Sequence, residues 1–126
     1  MNIPDQLRYT PHHLWVELQP DGTVRAGITD HAQETLGDIV FIDIPAIGAS
    51  ITAGQPCGLI ESVKTASDLH APLTGKLVET NDELRSSPER INEMPYSAWL
   101  FRMQPDHDSE WDQLLDAEAY HRLLDQ

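Results

Sequence analysis

The strongest chemical signal in the chain is the stretch Glu61-Ser62-Val63-Lys64-Thr65-Ala66-Ser67-Asp68-Leu69-His70-Ala71-Pro72. Lys64 is one of only two lysines, the other being Lys76, so it stands almost alone as a modifiable amine. Apolar Leu59 and Ile60 lead in, Leu69 and Ala71 lead out, and small or polar residues fill the gap. That pattern predicts a hairpin over about residues 56–72 with Val63 to Ala66 at its tip. A lysine at such a tip points its ammonium into solvent, and by itself is ordinarily a solvated charge. Here it is framed by Glu61, three residues before, and Asp68, four residues after.

Other candidate groups carry less. The single cysteine, Cys57, excludes an internal disulfide and an all-cysteine metal cage. On the strand entering the hairpin it reads as a small buried apolar residue; acting as an exchangeable thiol requires exposure and a lowered pKa. His12-His13 and Asp106-His107-Asp108 are too short for a metal site, because neighbouring side chains on a strand diverge and no third ligand is spaced to join them. His70 reads as a structural histidine beside the hairpin. No G-x-S-x-G, phosphate loop or cysteine–histidine signature argues for an enzyme.

The elements that hold Lys64 follow from the rest of the chain. Its 126 residues suit one domain, residues 1–126, and 40% hydrophobic content suffices for a core. Twenty-one acids against eight basic residues give a net charge of −13, which excludes a basic nucleic-acid footprint and disfavours an anionic membrane surface. No apolar run reaches membrane-span length, and the N-terminus has no secretory pattern, so a cytoplasmic protein is expected. Strands are predicted at His13–Leu18, Thr23–Ile28, Asp38–Ile44, Cys57–Glu61, Lys76–Glu79 and Trp99–Met103, with turns at Gly22 and Pro45. A helix is predicted from Thr29 to Gly37, with Asp30 and Gln33 at capping-box spacing, and a short one near Asn81–Leu84. A final amphipathic helix is predicted over about 109–124, capped by Ser109. Short strands with frequent turn signals suggest a β-sandwich or barrel.

The run E-S-V-K-x-x-S-D with A-P beyond it resembles the lipoylation site of the glycine-cleavage H-protein family. Gly48 and Gly75 stand where lipoyl and biotinyl carrier domains have glycines around their modified lysine. The resemblance spans nearly the whole chain, through Trp15-Val16, Gly27-Ile28-Thr29-Asp30, Leu36-Gly37-Asp38, Asn92-Glu93, Pro95-Tyr96, Trp99 and Leu114 to Tyr120. It implies a mostly β barrel-sandwich hybrid with flanking short helices. It further implies lipoate attached covalently to Lys64, with Glu61 and Asp68 framing recognition by a lipoate ligase or a lipoyl/octanoyl transferase.

A non-catalytic, monomeric carrier is then expected. Its arm shuttles an aminomethyl group between glycine decarboxylase, aminomethyltransferase and dihydrolipoyl dehydrogenase. The alternative is a related lipoate-binding protein carrying sulfur intermediates for sulfur-oxidation enzymes of the heterodisulfide-reductase-like kind. Two departures bear on this choice. Leu14 replaces the glutamate of the family's H-E-W stretch, leaving Asp68 as the carboxylate available to a cationic load, and Pro95–Trp99 lacks the glycine common there.

Overall fold

The computed structural model describes residues 2–125. In chain order the elements are β1 (Arg8–Tyr9), β2 (Leu14–Leu18), β3 (Val24–Ile28), α1 (Asp30–Leu36), β4 (Ile39–Asp43) and β5 (Ser50–Ile51). They continue with β6 (Pro56–Ser62), β7 (Ala66–His70), β8 (Gly75–Thr80), α2 (Glu83–Ser86), α3 (Arg90–Glu93), β9 (Phe101–Pro105), α4 (Asp108–Trp111) and α5 (Ala117–Leu124). The strands form two antiparallel sheets, one ordered β1-β2-β3-β9-β8-β5 and the other β4-β6-β7. Among the described residues neither sheet closes into a barrel.

Alternation of side chains puts one face of each sheet inward. Val16, Val24, Ala26, Leu77, Phe101 and Met103 from the larger sheet, and Ile42, Ile60 and Leu69 from the smaller, share one buried cluster. Each such aliphatic side chain contributes about 1.5–3 kcal/mol by leaving water. At Gly75 the sheet permits no larger residue, because an added Cβ would collide with the Gln104 carbonyl.

A second cluster lies on the other face of the larger sheet. Tyr9, Trp15 and Tyr120 are almost fully buried there, with Leu115, Leu123 and Leu124 packed against them. The Tyr9 and Tyr120 rings stack at 4.7 Å. The Tyr120 hydroxyl sits 2.9 Å from His13 Nδ1 and 2.8 Å from Thr29 Oγ1, tying the last helix to the start of β2 and the mouth of α1.

Three expectations need correction. The continuous helix over 109–124 is two helices, α4 and α5, because Leu115 leaves the helix to exchange backbone hydrogen bonds with Tyr9, both at 2.8 Å. Ser109 therefore lies inside α4, and Asp116 is the effective cap, its carboxylate accepting from the Ala119 amide at 2.8 Å. At α1 the cap is Thr29, whose hydroxyl accepts from the Ala32 amide; Gln33 still donates to Asp30, but from within the helix. The last strand begins at Phe101, two residues beyond its predicted start at Trp99. The strands β1 and β5, each two residues long, and the single turn α3 are too short to show a periodicity.

His13 adopts the left-handed conformation, with φ of 68°, a region that asparagine tolerates well. Burial, and then the neighbouring His31 and His12, lower its pKa below the ordinary 6.5. The folded state thus binds the proton more weakly than the unfolded chain. The resulting stability is complete above about pH 6.5 and is lost as pH falls from there through the folded value. His13→Asn is expected to cost about 1 kcal/mol at pH 7 through the weakened bond to Tyr120. Its thermal midpoint should fall less between pH 7 and pH 5 than that of the parent.

Candidate functional site

The lysine hairpin is built from β6 and β7, paired with Glu61 opposite Ala66, Ile60 opposite Ser67 and Leu59 opposite Asp68. Ile60 and Leu69 anchor its inner face at 2% and 1% exposure. The tip is Val63-Lys64-Thr65, with Ala66 already in β7. Ser62 makes this turn. Its backbone N–H donates to the Thr65 carbonyl at 2.8 Å, and its hydroxyl accepts from the Lys64 and Thr65 amides, both at 3.2 Å. A serine hydroxyl standing in for a backbone acceptor closes the turn without a glycine, and no tip residue takes a positive φ.

The tip is also tied sideways. The Val63 N–H donates to the Asp38 carbonyl at 3.0 Å, fastening the hairpin to the corner between α1 and β4. That corner starts at Gly37, whose φ of 81° and ψ of −158° only glycine adopts readily. The Lys64 stem runs over it, so that a Cβ on residue 37 would stand 3.0 Å from Lys64 Cε. Asn92, on α3, holds both sides of the corner. Its Nδ2 donates to the Gly37 carbonyl at 2.8 Å and to Gln33 Oε1 at 3.1 Å, and its Oδ1 accepts from the Ile39 amide at 2.8 Å.

Lys64 itself is exposed and, among the described residues, forms no ion pair. Glu61 and Asp68 share the outward face of the small sheet, with Glu61 between Phe41 and Ala66 and Asp68 across from Leu59. They are carboxylates of the hairpin's flank, and neither closes on the lysine. The second lysine, Lys76, is paired between Ser50 and Gln104 inside the larger sheet.

The remaining candidates fall into structural roles. Leu14 is 2% exposed, pairs with Ile28 and belongs to the main core, so its departure from the family pattern fills buried apolar space. His12 and His70 stack at 4.0 Å, joining the loop before β2 to the foot of the hairpin. Burial pushes the Cys57 thiol up to about 11, which keeps it protonated at neutral pH. The Pro95–Trp99 loop closes without a glycine, the Ser97 and Ala98 amides both donating to the Met94 carbonyl. Gly37, Ser62 and Asn92 had no assigned role in site geometry from sequence. The serine two residues before a turn lysine was the available signal for one of them.

Comparison with known proteins agrees with this arrangement. A family model described as glycine cleavage H-protein matches residues 7–126. The glycine cleavage system H protein of Methylobacillus flagellatus is 53% identical over 124 residues, covering 98% of this chain and 99% of that protein. That of Methylococcus capsulatus is 49% identical over 125 residues, covering 99% and 98%. The crystal structure of a glycine cleavage system H protein from Mycobacterium marinum superposes with a TM-score of 0.88 at 40% identity, covering 98% of this chain and all of that one. The two sheets with their short helices are therefore the β-sandwich of lipoyl domains. The chain belongs to the glycine cleavage H-protein family. The sulfur-carrying alternative finds no support among these relatives.

With its pKa near 11, Cys57 should carry very little thiolate. At pH 8 a maleimide or disulfide reagent should label it roughly two orders of magnitude more slowly than a free cysteine. Labelling at the free-cysteine rate in the folded protein would contradict the burial described here.

Proposed function

We propose that this chain is a lipoyl carrier of the glycine cleavage system and that Lys64 is its acylated residue. The observation that carries the reading is the presentation of Lys64: an exposed amine, in no ion pair among the described residues, on a tip fixed by Ser62 and Asp38. Such an amine fits the group. Once deprotonated, Nζ attacks an activated lipoyl or octanoyl carbon, forms the amide and expels the leaving group, and its second proton is lost to solvent or the attaching enzyme. Lys76 is exposed too, but its backbone is held on both sides within a sheet and not at a turn tip.

Once attached, the dithiolane of lipoate supplies reversible thiol–disulfide chemistry and a sulfur to hold the aminomethyl unit. The protein's own residues supply geometry. Ile60 and Leu69 root the hairpin, Ser62 shapes its end, and the tether raises the local concentration of the group at each enzyme visited. No general base of this chain is needed, which makes it a carrier and not a catalyst.

The partners follow from that scheme: a lipoate ligase or lipoyl/octanoyl transferase, glycine decarboxylase, aminomethyltransferase and dihydrolipoyl dehydrogenase, met by a monomer in the cytoplasm. Glu61 and Asp68, on the face beside the lysine, suit basic rims on those enzymes, an attraction that salt weakens. With Leu14 in place of the family's glutamate, Asp68 is the carboxylate that remains for a cationic load.

The test is acylation by a lipoate ligase, followed by peptide mapping. Lipoate is expected on the Lys64 peptide, and Lys64→Arg should abolish loading while leaving the thermal midpoint within a degree or two, as is usual for an exposed substitution. Lipoate on the Lys76 peptide would overturn the assignment.

A further inference from the structure

Asn92 reaches the lysine hairpin without touching it. Its side chain bonds the residue before Asp38, at the Gly37 carbonyl, and the residue after it, at the Ile39 amide. The Ile39 N–H belongs to the same peptide unit, Asp38–Ile39, whose carbonyl receives the Val63 N–H. With Gln33 Oε1 as the third partner, both amide hydrogens and the oxygen of Asn92 are engaged. Only one orientation of the amide satisfies all three, since two partners are acceptors and one is a backbone donor. The clamp also holds Gly37 where the Lys64 stem runs over it. Asn92 in turn is fixed by its own short helix, α3, whose Ile91 is completely buried.

We propose that Asn92 is a positioning residue for acylation: by locking both sides of Asp38 it fixes the direction in which the hairpin offers Lys64. The inference rests on Lys64 being the acylated residue. An attaching enzyme must bring Nζ itself to its reacting atoms, so it has to accept the tip in one orientation. If the corner loosens, the tip samples several orientations and only a fraction of the carrier is competent at any moment. Apparent affinity falls by that fraction, whereas turnover of the properly bound carrier does not. Loosening should therefore raise KM with little change in kcat. A purely structural role would also raise KM, because the carrier is the substrate and its unfolded fraction is not competent, but it would do so with amide protection lost across the whole molecule.

Two variants separate these cases. Asn92→Asp keeps the acceptor for the Ile39 amide but, ionised, can donate to neither Gly37 nor Gln33 and sets a negative charge against a carbonyl. Asn92→Ala removes all three bonds and leaves no charge behind. Each variant and the parent are assayed with a lipoate ligase, lipoate and ATP, and backbone amide exchange is followed in parallel.

For both variants KM for the carrier should rise about tenfold at nearly constant kcat. The Val63 amide should exchange at least several-fold faster, while the β2–β3 ladder stays protected. If KM remains within twofold of the parent in both variants, the proposal is overturned. It is equally overturned if KM rises but protection is lost throughout the molecule, the β2–β3 ladder included. The underlying carrier reading is judged separately by the parent: failure to acylate Lys64 in the parent, with a control carrier loaded normally, is a failure of that reading, and the exchange data still report on the clamp.

Discussion

The Lys64 hairpin points where it does because the corner between α1 and β4 is fixed on both sides of one residue, Asp38. Among the described residues the Asp38 carbonyl accepts the one backbone bond that ties the tip sideways, from Val63, and the Asn92 amide grips the residues flanking Asp38. Everything else at the site is arranged around that constraint. Thr29 caps the helix leading in, Gly37 ends it in a conformation other residues resist, and Ser62 closes the turn that the corner receives. A carrier needs its lysine mobile at the end of its side chain but fixed at the root. The division falls at Lys64 Cα, with hydrogen-bonded backbone behind it and an unpaired amine ahead.

Much of this was legible in the sequence, for physical reasons that differ along the chain. The hairpin around Lys64 announces itself because apolar residues lead in at Leu59 and Ile60 and out at Leu69 and Ala71, with small and polar residues marking the turn. The helix stop at Gly37 was readable from residue type alone, as was the turn at Gly22. The C-terminal segment misled because its apolar spacing is helical throughout. Only the backbone exchange between Leu115 and Tyr9, a contact far apart in sequence, shows that the helix must break and restart at Asp116. Asn92 lies at the limit of what a sequence discloses. An asparagine on a short helical turn carries no local signal of a partner more than fifty residues away.

The same contrast applies to the groups that looked chemically suggestive. Leu14 read as a lost carboxylate, yet its side chain belongs to the core opposite Ile28, where an unpaired charge would be costly. His12-His13 looks like a metal pair on paper, and in three dimensions His12 stacks instead on the His70 ring. Cys57 is kept protonated by burial and stays silent. Set beside these, the hairpin tip offers an exposed amine on a hydrogen-bonded turn, which is the arrangement a swinging-arm carrier requires.

The central claim is that the arm on Lys64 serves glycine cleavage, and the direct measurement is glycine-dependent loading. Lipoylated protein is incubated with a glycine decarboxylase and glycine, and intact mass and the Lys64 peptide are followed over time. Capture of an aminomethyl unit on that peptide, at a rate comparable with a reference H protein, is the expected result. No mass gain, with lipoate verified on Lys64 and the reference loading normally, would contradict it.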